Sequence, residues 1–277
     1  MPVQLTTLSE NTVTALDLLA ERGLSILIEL DNYRILFDTG LSFSAAHNAI
    51  ALGVDLSHID KIVFSHGHRD HTGGLLPTLK MMRKQVEVIA HPDIWAAKYV
   101  RRSHGKEEYI GVPFPKEAAE SLGASFRLSK EPIWISENIV TSGEIPMTTE
   151  YEKIDPNLHV KEHGQLHPDP LRDDQALFIK SERGLIVILG CAHRGAINTL
   201  RHAQKLTGVE PIHAVIGGTH LIAASPQQVD LTIAELLSFD IQRLGACHCT
   251  GLPASAMLAQ TFGERFFFNN AGTRISL

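Results

Sequence analysis

Three histidines and one aspartate fall within six consecutive residues of this chain, in the run His66-Gly67-His68-Arg69-Asp70-His71. Imidazole and carboxylate groups are the side chains that bind divalent Zn, Fe and Mn. One ion cannot easily accept all four donors from so short a segment. The spacing therefore predicts two neighbouring metal ions that need further ligands, and we favour this reading over a polar turn that is merely rich in histidine.

The elements around this run place it at the end of a strand. The apolar residues 62–64 predict a short buried strand, and a helix can begin at Gly73-Gly74. A helix at 74–83 and a strand at 86–90 follow, and strands and helices in alternation predict an α/β architecture. An earlier hairpin is predicted for 24–30 and 34–37 around the turn Asp31-Asn32. Later strands are predicted at 176–179, 185–189, 212–216, 243–246 and 265–268, and later helices at 196–206, 229–238 and 253–262.

Two later histidines have the setting of additional metal ligands. His193 follows the buried strand 185–189, and His248 lies between the strand 243–246 and a helix that begins near Pro253. Chemistry in α/β folds is placed where strands end. In an extended segment Cys247 and Cys249 would share one face and His248 would point to the other, which favours His248 as the single inward ligand.

The motif His66-x-His68-x-Asp70-His71 after a strand resembles the metallo-β-lactamase superfamily, and Phe37-Asp38-Thr39-Gly40 before it agrees. More narrowly the chain resembles the branch that includes the dihydropterin ribofuranosylaminobenzene 5′-phosphate synthases of methanopterin biosynthesis. That resemblance is carried by the segments 173–177, 190–195, 217–221 and 247–251. It implies a single domain over 1–277 with a four-layer αββα sandwich fold and a metal site at one edge between the sheets.

The expected ligand sets are His66, His68 and His193 for one ion and Asp70, His71 and His248 for the other. The family has an aspartate that bridges the two ions after a glycine, but here Gly190 is followed by Cys191. This position leaves the bridging ligand open. Asp174 is an alternative, as a ligand or as a hydrogen-bond acceptor behind one, and Cys191 is alternatively an inert packed thiol.

Two more residues are candidates beside the ligands. Asp38 ends a strand, and a carboxylate there can accept a hydrogen bond from a ligand imidazole and fix its tautomer. His220, in Gly217-Gly218-Thr219-His220, also ends a strand. We assign it a role with substrate or with a proton, with a purely structural histidine as the equal alternative.

Composition limits the partners. The net charge of −6 predicts no basic face and argues against nucleic-acid binding. No apolar run approaches the ~20 residues that span a bilayer. Three cysteines next to histidines do not form a disulfide framework, and no secretory pattern opens the sequence, so a cytoplasmic location is expected. The sequence leaves the oligomeric state open.

An irregular insert is predicted at about 101–174, which holds seven of the 13 prolines. Within it, 148–174 shows no periodic pattern. Long irregular segments are usually functional or disordered, and we favour a substrate-covering loop over a disordered insert. Its histidines His159, His163 and His167 are expected to face solvent.

The leading functional hypothesis is a hydrolase that uses a metal-held hydroxide, with Asp70 and His220 as catalytic residues. Phosphoesters are favoured among small anionic substrates, because helix N-termini after Gly195 and Gly251 attract anions. The alternative, implied by the resemblance, is a synthase in which an aromatic amine or ring carbon displaces pyrophosphate from a pterin methylene. A third hypothesis is a non-enzymatic metal or redox sensor that uses Cys191, Cys247 and Cys249.

Overall fold

The computed structural model describes residues 2–30 and 32–277. Met1 and Asp31, the first residue of the predicted turn Asp31-Asn32, lie outside the described residues. The chain divides into two compact units. The first unit contains the described residues up to Ser129 together with Pro156–Asp173 and Asn270–Leu277, and the second contains Lys130–Asp155 and Asp174–Asn269. The single domain over 1–277 stays a prediction.

Both strands and α-helices occur in each half of the described chain, as the predicted α/β architecture requires. The strands are β1 (Gln4–Ser9), β2 (Ser25–Leu30), β3 (Tyr33–Phe37), β4 (Lys61–Val63), β5 (Val86–Ala90), β6 (Lys98–Arg101), β7 (Glu107–Tyr109), β8 (Ala124–Leu128), β9 (Ile139–Thr141), β10 (Leu158–Glu162), β11 (Gln165–Pro168), β12 (Ala176–Ser181), β13 (Gly184–Leu189), β14 (Ile212–Gly217), β15 (Arg243–Ala246), β16 (Phe266–Phe268) and β17 (Arg274–Ser276). The helices are α1 (Ser44–Ala51), α2 (Arg69–Thr72), α3 (Leu75–Met82), α4 (Lys116–Ser121), α5 (Ala196–Thr207), α6 (Pro226–Ser238) and α7 (Leu252–Phe262).

The first unit is built on a seven-stranded sheet in the order β17-β1-β2-β3-β4-β5-β8. The strands β1, β2 and β3 are antiparallel, and β3, β4, β5 and β8 run parallel. Helices α1 and α3 cover one face, where Leu36, Ile62 and Val88 from the sheet pack with Leu75 and Leu79. Burial of these side chains fixes the ends of β3 and β4, the strands that carry the residues before Asp38 and His66.

A smaller four-stranded sheet in the first unit has the order β11-β10-β6-β7. Its hairpin β10–β11 lies where the sequence shows no periodic element. Both strands are short and β11 is mostly exposed, so hydrophobic alternation extends only from Leu158 to Val160 in β10. The missed signal is His163-Gly164, whose φ values of 50° and 84° have the left-handed sign that a two-residue hairpin turn requires.

The hairpin determines which of its three histidines are exposed to solvent. His163 and His167 are exposed, as predicted. His159 is 8% exposed, and its Nδ1 lies 3.0 Å from the carbonyl oxygen of Asn157, so the expectation of solvent exposure is wrong there. The cause is pairing of β10 with both β6 and β11, which places His159 inside the sheet.

The preceding residues are held against helix α5 in the second unit. The N–H groups of Thr148 and Thr149 donate to Asn198 Oδ1 at 2.7 and 2.9 Å. The Glu152 carboxylate accepts the N–H groups of Ile197 and Asn198, each at 2.9 Å. Because these residues are anchored and 158–168 forms a hairpin, a long free covering loop over 148–174 is not what the structure contains.

The second unit is built on a six-stranded sheet in the order β16-β15-β14-β13-β12-β9. Strands β13 to β16 are parallel, and all residues of β13 and β14 are buried, as expected for parallel strands covered by helices. Leu200, Leu236 and Leu258 from α5, α6 and α7 join the core. The predicted strands and helices of this half are confirmed. Across 2–30 and 32–277, none of the helices combines the length and apolarity needed to span a bilayer.

Candidate metal centre

Strand β3 ends one residue before Asp38, whose side chain is fully buried. Its carboxylate accepts three hydrogen bonds: from the Ser65 N–H at 2.8 Å, from the Ser65 hydroxyl at 2.7 Å and from His71 Nδ1 at 2.7 Å. Because Nδ1 carries the proton that His71 donates to Asp38, the lone pair of the neutral ring is on Nε2, the nitrogen that can bind a metal ion. Asp38 therefore makes the contact predicted from the sequence and fixes the tautomer of one candidate ligand.

The three histidine rings of the motif converge in a buried cluster. His66 Nε2 lies 3.0 Å from His68 Nδ1, and the ring centroids of His66 and His71 are 4.2 Å apart. Ser65 Oγ is 2.9 Å from His66 Nδ1. The one-turn helix α2 brings the rings of His66 and His71 together. Asp70 is more accessible than the rings, and its side chain is 20% exposed.

A buried ion cluster holds the backbone of the histidine motif. Lys98 Nζ lies 2.8 Å from carboxylate oxygens of both Asp169 and Asp173. The other oxygen of Asp173 accepts the N–H of Gly67 at 2.8 Å. Gly67 has no room for a Cβ because the carbonyl oxygen of Ile94 occupies that space. The segment between His66 and His68 is therefore fixed from both sides.

The roles of Lys98 and Asp173 are not predicted from the sequence. Burial lowers the pKa of Lys98, but the charges of Asp173 and Asp169 outweigh it, so its pKa is raised above 10.5 and the amine stays charged. Asp173 lies in a segment that carries the narrower resemblance, which is a signal for it. Lys98 comes from a short strand with no motif around it, and its burial at 1% exposure follows only from the fold.

The second unit brings its candidate donors together at the ends of β13, β14 and β15. Donor atoms of Cys191, His193 and His220 lie within 4.8 Å of one another, and so do those of Cys191, His248 and Cys249. The ring centroids of His193 and His220 are 4.1 Å apart. Cys191 belongs to both groups, which places it centrally among the second unit's donors. A ligand role for each of these residues stays a prediction.

The arrangement around His248 differs from the one expected. His248 has φ 52° and begins a 3₁₀ turn over His248–Thr250, so the segment is not extended. Cys249 consequently lies in the same donor group as His248 instead of on the opposite face. The expectation that alternation would separate them fails because a left-handed residue reverses the direction of the chain.

Cys249 and His220 affect each other's charge. Burial raises the pKa of the Cys249 thiol, but hydrogen bonding to Cys191 and His220 and the charge of His248 hold it well below 9.0. Burial lowers the pKa of His220, whereas the contact with Cys249 and the charges of Asp155 and Asp174 raise it above 6.5 overall. The two groups therefore shift each other's pKa in opposite directions.

The carboxylates of Asp174 and Glu152 accept hydrogen bonds from backbone N–H groups near His193. Asp174 Oδ2 accepts the N–H of Arg194 at 2.8 Å, which is a hydrogen-bond acceptor role next to a candidate ligand. The Glu152 carboxylate takes the N–H groups at the start of α5. The anion site predicted after Gly195 is thus filled by the protein's own carboxylate, while α7 begins at Gly251 without a side-chain cap.

Four residues of the candidate site have the left-handed backbone conformation that side chains disfavour. Asp38, Ala192, His220 and His248 have φ values of 58°, 51°, 50° and 52°. Each lies just after a strand that points toward the donor cluster of its own unit. Such strain is retained where the surrounding structure enforces it, and it concentrates at functional sites.

The Asp38 contacts give the first testable prediction. Asp38→Asn keeps the shape but offers an amide where His71 needs an acceptor, so metal affinity should fall by about 10–100-fold. Equilibrium dialysis against a competing chelator measures this change. Asp60→Asn, an exposed carboxylate of the same unit, is the matched control. Equal affinity in Asp38→Asn and wild type would show that the carboxylate does not act on a ligand.

The chain is similar in sequence and in fold to known proteins. The sequence profile of the Metallo-beta-lactamase superfamily matches residues 19–195. A Methanocaldococcus jannaschii protein named 7,8-dihydropterin-6-methyl-4-(beta-D-ribofuranosyl)-aminobenzene-5'-phosphate synthase is 34% identical over 264 residues, covering 91% of this chain and 89% of that protein. Uncharacterized protein MJ0448 of that organism is 32% identical over 260 residues, covering 93% and 94%. Among solved structures, Tm1679, a metal-dependent hydrolase of the beta-lactamase superfamily, has a TM-score of 0.84 and 25% identity, with 99% of both chains covered.

The first of these relatives overturns the hydrolase predicted from the sequence, because a synthase shares a third of its residues over nearly the whole chain. The motif could not decide the question, since the same donors serve hydrolysis and group transfer. The fold class predicted from the sequence is confirmed. The chain belongs to the metallo-β-lactamase superfamily and, within it, to the branch of the dihydropterin ribofuranosylaminobenzene phosphate synthases.

Proposed function

We propose that this protein is a transferase that joins a dihydropterin methylene group to a ribofuranosylaminobenzene 5′-phosphate acceptor. The observation that carries the proposal is the 34% identity to a synthase of that name across 91% of the chain. The retained histidine motif and the clustered donors of each unit support it. A synthase relative also makes the non-enzymatic sensor the weaker hypothesis.

The donor sets fit divalent metal ions. Each unit gathers buried imidazoles within contact distance, and such a cluster of ring nitrogens is costly to bury unless a proton or a cation is shared. We assign His66, His68 and His193 to one ion and Asp70, His71 and His248 to a second. These groups suit Zn, Fe and Mn. When bound, such ions offset the charge that develops on the oxygens of a diphosphate leaving group.

The protein's own residues have distinct tasks in this reaction. The bond between the pterin methylene carbon and the diphosphate oxygen breaks, and a bond from that carbon to the acceptor's nitrogen or ring carbon forms. The acceptor must lose one proton, and we assign its capture to His220, which lies beside His193. Asp38 orients His71, and Asp173 and Asp174 hold the backbone next to His66 and His193.

The decisive experiment omits the acceptor. Metal-loaded protein given a 6-hydroxymethyl-dihydropterin diphosphate alone should leave it largely intact, because a transferase site excludes the water that would attack. Addition of the ribosylated arylamine phosphate should start rapid release of pyrophosphate. Both species are followed by chromatography.

Two results would contradict the proposed transfer reaction. Repeated turnover of the donor in water alone, unaffected by the acceptor, would contradict group transfer. No consumption of the donor with the acceptor present would contradict pterin as the substrate class. A heat-inactivated sample with the same metal content controls for catalysis by free ions.

A further inference from the structure

An apolar cavity of about 280 Å³ lies in the second unit among the residues that follow His220 and His248. Its walls include Leu221, Ile222, Val229 and Met257, and its only acidic or basic lining residue is Asp230. Ligand pockets typically combine apolar walls with a few polar groups that set orientation. This cavity has that composition.

Some residues that line the cavity are close in sequence to candidate site residues. Leu221 directly follows His220, and Thr250, which also lines the cavity, closes the 3₁₀ turn that starts at His248. The Thr250 hydroxyl oxygen accepts hydrogen bonds from the N–H and hydroxyl of Thr219, which fixes this wall.

Two apolar side chains that line the cavity also reach solvent. Ile222 is 62% exposed and Met257 is 40% exposed. Ile222 can sit there only because residue 251 is glycine, since a Cβ at Gly251 would lie 2.9 Å from that of Ile222. An apolar, planar group between these side chains would cover the exposed surface.

We infer that this cavity receives the pterin ring of the donor, with Asp230 accepting hydrogen bonds from the ring's amino group and adjacent ring N–H. The inference rests on the proposed function. Among the parts of the two substrates, phosphate is disfavoured because no lysine or arginine lines the cavity and Asp230 would repel it. The benzene ring lacks a pair of parallel N–H donors. The pterin edge supplies two donors in the geometry that a carboxylate accepts.

The test measures binding of unsubstituted pterin to the metal-loaded protein through pterin fluorescence. Asp230→Asn should weaken binding by about three- to tenfold, because the Asp230 carboxylate is exposed and solvent partly screens its hydrogen bonds. Ile222→Ala, which truncates an exposed side chain, should weaken it several-fold while circular dichroism stays unchanged. Glu264→Gln, an exposed charge change in the same unit, should bind as wild type does.

Different failures have different meanings. If wild type transfers the pterin group but both variants bind pterin normally, the ring binds elsewhere and this inference is wrong while the proposed function stands. If Asp230→Asn instead changes affinity for 4-aminobenzoate or ribose 5-phosphate only, the cavity holds the acceptor and the inference is again wrong. If wild type neither binds nor consumes a pterin donor, the proposed function itself fails.

Discussion

Lys98→Met should lower the free energy of unfolding by about 3–5 kcal/mol, the cost of removing one partner from a buried ion pair. Methionine keeps the volume of the lysine stem but leaves Asp169 and Asp173, both buried, without their shared cation. Urea denaturation of metal-free protein measures the loss without a contribution from metal binding.

The triple variant Lys98→Met, Asp169→Asn, Asp173→Asn is the control, because neutral groups of the same shape no longer require a cation. It should recover much of the stability. A single variant as stable as wild type, or a triple variant as unstable as the single one, would show that the cluster's charges do not determine the effect.

The same cluster gives a prediction for pH. Since the pKa of Lys98 in the folded protein is raised, its stabilising contribution is complete below the unfolded value of 10.5 and is lost as pH rises through the folded value. The stability difference between wild type and Lys98→Met should therefore be constant near neutral pH and should shrink only in strong alkali. A difference that decreased already at neutral pH would contradict the raised pKa.

His66→Ala should produce the largest loss of activity. The variant removes one imidazole from a cluster in which His66 touches His68, Ser65 and His71. Transferase turnover should fall by about 10²–10³-fold, the scale of losing one group that stabilises developing charge. Metal content, measured by elemental analysis, should fall by about one ion per chain, since the half-site would lack a ligand.

His47→Ala is the matched control, because it removes an exposed imidazole from the same unit. It should keep both activity and metal content. A His66→Ala variant with full metal content but no activity would show that His66 acts on substrate and not as a ligand. Two ions per chain in every variant would contradict the ligand assignment.

The parts predicted from sequence are those specified by local chemistry. The continuous apolar run of β13 predicts a strand buried on both faces, and all of its residues are buried. The spacing of the histidine motif limits where its donors can point, and Asp38 follows from the need of a ligand imidazole for an acceptor. The strand and the motif depend on neighbours in sequence, so a pattern reveals them. The role of Asp38 follows from its place at the end of a strand, although its partner His71 lies 33 residues away.

The parts that were not predicted depend on distant contacts or on single backbone angles. Nothing near Lys98 in the sequence indicates that two carboxylates about 70 residues later neutralise it. One left-handed residue, His248, moves Cys249 into the donor group that alternation assigns to the other face. The choice between hydrolysis and transfer lies in what the site admits, and the ligand motif does not encode that.

The adjacent carboxylates Asp173 and Asp174 limit which sequence changes this protein can accept during evolution. The boundary between the two units falls between them, and each holds the backbone beside a candidate ligand of its own unit, Gly67 for Asp173 and Arg194 for Asp174. Insertion or deletion of one residue at this position would move one of the two carboxylates away from the backbone N–H group that donates to it. We therefore expect insertions and deletions in the exposed hairpin turn at His163-Gly164, and only substitutions at Asp173-Asp174.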